Sequence, residues 1–159
     1  MPKVKFVKSA NKDNPVCKKG ESYFWWKFRY GGKRYSLTCP KASQLTQSEF
    51  LGWAYDMQER SFDITVDGAE DTVTELINDI EEQRDELQEK LDNMPEHLQD
   101  TSSSGELLTE RIGTLDNAID TLHSIDYTYD KEKDDEEDSW IDGIISEVQS
   151  AVDSLTNAG

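Results

Sequence analysis

Phe24-Trp25-Trp26-Lys27-Phe28-Arg29-Tyr30-Gly31-Gly32-Lys33-Arg34-Tyr35-Ser36-Leu37-Thr38 is the stretch that decides the fold. Two β-prone runs flank Gly31-Gly32, and paired glycines accept the positive φ of a two-residue hairpin turn. Such a turn sets Tyr30 opposite Lys33, Phe28 opposite Tyr35, Trp26 opposite Leu37 and Phe24 opposite Cys39. Side chains alternate along a strand, so this register separates two faces. One is predicted to carry Phe24, Trp26, Phe28, Tyr30, Tyr35 and Leu37, which is core material. The other is predicted to carry Trp25, Lys27, Arg29, Arg34, Ser36 and Thr38.

Upstream, Lys3-Val4-Lys5-Phe6-Val7-Lys8 alternates as a short strand, and Asn11-Lys12-Asp13-Asn14-Pro15 is a loop by composition. Downstream, Pro40 ends the hairpin. Thr46 or Ser48 is placed to cap a helix running to about Glu59, whose Phe50, Leu51, Trp53, Ala54, Tyr55 and Met57 form an apolar side. Residues 1–62 thus read as a basic sheet-plus-helix domain. Ser61 to Gly68 alternates Phe62, Ile64 and Val66, as a short strand or an extended linker.

From Glu70 the period becomes helical. Val73, Ile77, Ile80, Leu87, Leu91 and Met94 recur along one helix, which Pro95 ends. Leu108, Ile112, Leu115, Ile119 and Leu122 form the seam of a second. A polar segment of about ten residues joins them, so 68–126 reads as an acidic antiparallel αα-hairpin. Residues 127–138 form an acidic linker. Residues 139–159 form an amphipathic helix with Trp140, Ile141, Ile144, Ile145, Val148, Val152 and Leu155 on a broad side, packed as a third helix or docked on a partner. The predicted class is α+β: a small antiparallel three-stranded sheet with one helix, then a helical hairpin or three-helix bundle.

The charge is split along the chain. Up to Leu45 there are eleven Lys/Arg against two acids, net +9; the rest has six bases against thirty-two acids, net −26. One end can bind a polyanion and the other resembles one. The chain has 159 residues, an apolar share of 35% and a mean hydropathy of −0.80, which favour thin parts over one thick core. Two cysteines, no secretory signal and no membrane-length apolar run point to a reduced cytoplasmic protein without membrane contact. Cys17 and Cys39 are either a redox pair or incidental thiols.

Cations on alternate residues of adjacent strands form a flat positive patch suited to phosphates, while Trp25, Ser36 and Thr38 would reach base edges or sugar. The candidate nucleic-acid-binding residues are Trp25, Lys27, Arg29, Lys33, Arg34, Ser36 and Thr38. The alternative is a solvated sheet face whose lysines discourage edge pairing. The segment Phe24 to Thr38, followed by a helix opening near Leu45-Thr46-Gln47-Ser48, resembles the N-terminal arm-binding domain of tyrosine-recombinase integrases. That resemblance implies a three-stranded sheet laid in the DNA major groove, contacting it through Trp25, Lys27, Arg29, Arg34, Ser36 and Thr38. The remaining chain is too short and of the wrong composition for a recombinase catalytic domain. The whole chain is also similar to small tailed-phage proteins, which implies a phage or mobile-element setting in a host cytoplasm.

Glu81, Glu82, Asp85, Glu86, Glu89 and Asp92 crowd the first acidic helix, and Asp116, Asp120 and Asp126 follow. Such faces are either solvated or imitate DNA phosphates to a protein partner. The candidate protein-partner residues are Glu82, Asp85, Glu86, Glu89, Trp140 and Ile144. A third possibility is that the acidic arm docks on the chain's own basic sheet, which screening over about 8 Å restricts to direct contact. Asp130, Glu132, Asp134, Glu136 and Asp138 alternate like an EF-hand loop. However, Asp135 stands where Gly is needed and Ile141 where a bidentate Glu is needed, so no metal site is expected. His97, His123, Cys17 and Cys39 are too scattered for zinc or a nucleophile, and no cofactor motif is present. The expectation is a non-enzymatic DNA-associated protein whose basic sheet contacts nucleic acid and whose acidic arm contacts a protein or a second copy. The alternative is an inhibitor of a host nucleic-acid enzyme or defence complex, acting through the acidic arm.

Overall fold

The computed structural model describes residues 1–128 and 137–158. It is an α+β structure in two units, residues 1–53 and 54–159. Strands β1 (Lys5–Val7), β2 (Tyr23–Lys27) and β3 (Lys33–Ser36) form an antiparallel sheet in that order. A 3-10 turn at Ala42–Leu45 leads to helix α1 (Glu49–Arg60). Ser48 caps α1, its Oγ accepting the Leu51 N–H at 3.3 Å, and Glu49 places a carboxylate at the positive end of the helix dipole.

The hairpin register differs from the expected one by three residues. Lys27 pairs with Lys33, Trp26 with Arg34, Trp25 with Tyr35 and Phe24 with Ser36. A two-residue type I′ turn needs positive φ at both glycines, and only Gly31 has it, at 158°. The chain instead turns through Phe28–Gly32, and Gln47 Nε2 holds that loop by donating to Tyr30 O at 3.1 Å. An odd shift moves every β3 side chain to the other face relative to β2. The expected core face is corrected accordingly. Trp26 is buried, Phe24 and Tyr35 are half-buried, while Tyr30 is 76% and Leu37 58% exposed.

The segment between β1 and β2 is pinned by polar side chains. Asn14 Oδ1 accepts the N–H groups of Val16 and Cys17, both at 3.0 Å. Asp13 accepts from Lys19 N at 2.8 Å and Glu21 from Lys18 N at 2.7 Å. The two acids of the first 45 residues thus serve the backbone, and the lysine side chains beside them stay exposed. Gly20, at φ 98°, closes this loop in a conformation that favours glycine. Cys17 is buried, Cys39 is exposed, and both are free thiols.

The second unit is a helical bundle. A 3-10 turn at Val66–Gly68 precedes α2 (Ala69–Asp92); the short α3 (Glu96–Gln99), α4 (Ser103–His123) and α5 (Glu137–Asn157) follow. Contacts between Met94 and Ser102 and between Arg84 and Asp116 run in opposite directions along the chain, so α2 and α4 are antiparallel. Arg111, early in α4, donates to Ala158 O just past α5, so α5 runs against α4. The core comprises Val73, Leu76, Ile77 and Ile80 of α2, Ile112, Leu115 and Leu122 of α4, and Ile141, Ile144, Val148, Val152 and Leu155 of α5. Ser102 caps α4 by accepting from Gly105 N at 3.0 Å. Gly105 is needed there because a Cβ would lie 2.1 Å from Gln99 O.

The unit boundary falls inside α1, before the expected division at 62. The later part of α1 belongs with the bundle: Ala54, Met57 and Ser61 are buried, Gln58 Nε2 donates to Asp153 at 2.6 Å, and Arg60 pairs with Asp79. The expected strand or linker at Ser61–Gly68 is a turn followed by the 3-10 segment, with Ile64 buried beneath it. Most of the acidic linker at 127–138, and with it the EF-hand-like alternation from Asp130, lies outside the described residues.

Candidate nucleic-acid interface

The observed register gathers Lys5, Trp25, Tyr35, Lys27 and Lys33 on one sheet face, with Val7 and Tyr23. Lys5 and Lys33 come from the strands on either side of Trp25. Their ammonium groups stand over its ring at 5.0 and 4.7 Å. Tyr23 and Tyr35 lie beside them with ring centroids 6.0 Å apart. Each cation–π contact is worth ~0.5–1 kcal/mol at an exposed site, enough to bias where a flexible lysine points.

Lys27 and Lys33 are direct cross-strand partners, and both are exposed. Like charges directly opposite each other are destabilising. No carboxylate pairs with Lys5, Lys27 or Lys33 among the described residues. The arrangement therefore leaves three ammonium groups on one aromatic face with no carboxylate partner among the described residues.

The candidate residues read from the sequence do not all join this face. Arg34 and Ser36 lie on the opposite one, with Trp26, Phe24 and Phe6. Arg29 is in the hairpin loop, its guanidinium 5.3 Å from the Tyr30 ring. Thr38 lies past the end of β3, where its N–H donates to Ser36 Oγ at 3.2 Å. The expected base-reading trio of Trp25, Ser36 and Thr38 is thus divided, and Trp25 orients cations. Sequence reading missed Lys5. Its signal was the alternation of β1, which puts Lys5 and Val7 on one side once β1 pairs with β2.

Across the hairpin from this face is a cleft of about 580 Å³, lined by Trp26, Phe28 and Arg34 of the hairpin and by Gln44, Ser48 and Glu49 from the 3-10 turn and the start of α1. In the bundle, Glu82, Asp85, Glu86, Glu89 and Asp92 are exposed on α2. Lys90 reaches Glu86 at 3.6 Å, and Arg84 reaches Asp116 at 3.6 Å. Trp140 is half-buried and Ile144 is 4% exposed, so Ile144 builds the bundle core and does not present itself to a partner. Partial burial, followed by Glu70 and Glu147, raises the Tyr127 phenol above its ordinary pKa.

No group of three or more His, Cys, Asp or Glu side chains among the described residues is arranged to hold a metal ion. No helix among them is long and apolar enough to cross a membrane. No family model matches the chain, and neither does any curated protein or solved structure.

Proposed function

We propose that the N-terminal unit binds nucleic acid through phosphate contacts made by Lys5, Lys27 and Lys33, and that the acidic bundle engages a protein. The observation that carries this reading is the Lys27–Lys33 cross-strand pair beside a Trp25 flanked by two lysines. Phosphates placed across these ammonium groups replace repulsion by attraction and release counterions. The hydroxyls expected to read bases lie away from this face, so contact is sequence-independent. The unit of residues 1–53 holds eleven bases against three acids, which supports steering of a polyanion to it. The resemblance to integrase arm-binding domains agrees with a sheet face laid against DNA. A phage or mobile-element origin agrees with it as well.

The test is binding of the full chain to a short DNA duplex across a salt series. The proposal expects log affinity to fall linearly with log salt, and the slope of a Lys5→Ala/Lys27→Ala/Lys33→Ala variant to be shallower by up to about three. An unchanged slope in that variant contradicts it.

A second reading is favoured by the exposed row of Glu82, Asp85, Glu86 and Glu89. It makes the bundle a phosphate-like surface that occupies the basic site of a host nucleic-acid enzyme or defence complex. Under it, the protein competes with DNA for that enzyme, and Glu82→Lys/Asp85→Lys/Glu89→Lys abolishes the competition. Retained competition by that variant contradicts it.

A further inference from the structure

We infer that the cleft on the other side of the hairpin is a binding site for a small oxyanion of the phosphate class. It uses none of the three lysines, shares only Tyr35 with their face, and does not rest on the nucleic-acid reading.

The cleft has an imbalance of hydrogen-bonding groups. Gln44 Oε1 accepts from Lys41 N at 3.1 Å, Thr46 Oγ1 from Ser48 N at 3.1 Å, and Ser48 Oγ from Leu51 N at 3.3 Å. These bonds engage acceptor oxygens in holding the local backbone. The donors that remain to face a ligand include the Gln44 amide hydrogens and two hydroxyl hydrogens. Trp26 strengthens the imbalance. It is 4% exposed, and its indole N–H has no acceptor among the described residues. A buried donor without a partner is uncommon, because desolvation goes uncompensated.

Arg34 completes the set. It is the direct cross-strand partner of Trp26, it is exposed, and no carboxylate pairs with it among the described residues. Cross-strand pairing puts the guanidinium fork next to the Trp26 side chain, and both line the cleft. The donors come from three directions: the strand pair, the 3-10 turn and the start of α1. A tetrahedral oxyanion meets such a spread better than a planar carboxylate does. Glu49 stands at the first position of α1 on the same cleft and opposes a highly charged ligand.

The experiment is ¹H–¹⁵N NMR of the labelled full chain. Its four tryptophans give four indole signals, and Trp26→Phe assigns one of them. Sodium phosphate is titrated against sodium chloride at matched ionic strength. The expected result is a saturable shift of the Trp26 indole signal with phosphate alone. Arg34→Ala, a surface change, weakens the apparent affinity by about tenfold, and Glu49→Gln strengthens it. A non-saturating shift, or the same shift in Arg34→Ala, overturns the proposal. A 5′-mononucleotide that saturates earlier than inorganic phosphate assigns the site to nucleotides, and equal saturation assigns it to the oxyanion itself; both uphold it. Saturation only by a DNA duplex, lost in Lys27→Ala/Lys33→Ala, overturns it by merging the cleft with the lysine face. Failure of DNA binding alone leaves the phosphate result intact.

Discussion

The sheet unit and the helical bundle carry opposite charge and hold it in different ways. The bundle, residues 54–159, has thirty-one acids against six bases over a continuous core of Leu, Ile and Val. Its fold is specified by that core, so its carboxylates are spread wherever a helix meets water. The sheet unit buries few large side chains, among them Trp26 and Phe50. It relies on Asn14, Asp13, Glu21 and Gln47 bonded to backbone groups. Its cations therefore stand at positions that strand register and pinned loops determine. Charge in one unit is diffuse, and in the other it is placed.

The largest effect is expected from truncating the bundle core. Leu115→Ala removes a fully buried side chain and is expected to cost ~2–5 kcal/mol, read as a lower urea midpoint of the helical circular-dichroism signal. Gly105→Ala forces a methyl against the Gln99 backbone, and a loss of ~1–3 kcal/mol by the same measurement is expected. In the sheet unit, Asn14→Ala leaves two backbone N–H groups without their acceptor. It should cost ~1 kcal/mol, seen as weakened hydrogen-exchange protection of Val16 and Cys17. Gly113→Ala is expected to have the opposite sign. Nothing lies within 4 Å of a Cβ at this exposed helical position, so a gain of ~0.5–1 kcal/mol should follow. The smallest effect belongs to the diffuse charge: Glu82→Gln/Glu89→Gln should change stability by less than ~0.5 kcal/mol per site in urea.

These differences also explain what was legible in the sequence. Val73, Ile77, Ile80, Ile112, Leu115, Ile119 and Leu122 declare their helices through local spacing, and the same residues are buried. Ala118 and Ala151 are buried too, but small side chains scarcely mark a hydrophobic face. The sheet was legible as three strands, and its register was not. Gly31-Gly32 permits a two-residue turn without requiring one. The competing constraint is the long-range bond from Gln47 to Tyr30 O, which is not written in the hairpin itself. The candidate site inherited that error, because an odd register shift takes Arg34 and Ser36 off the face of Trp25 and Lys27 and brings Lys33 onto it. The unit boundary was hidden for a related reason: α1 is one continuous helix, and long-range contacts such as Gln58 with Asp153 and Arg60 with Asp79 assign its later part to the bundle.

On the proposed function, placed charge on one face of the sheet, rather than positive charge in general, meets nucleic acid. The most direct measurement compares DNA-duplex affinity of the full-length protein with that of Lys27→Ala/Lys33→Ala and of Arg29→Ala/Arg34→Ala, at one low salt concentration. Each variant removes two positive charges from the same hairpin. A marked loss is expected for the lysine pair and little change for the arginine pair. Equal losses in the two variants, or a larger loss in the arginine pair, would contradict it.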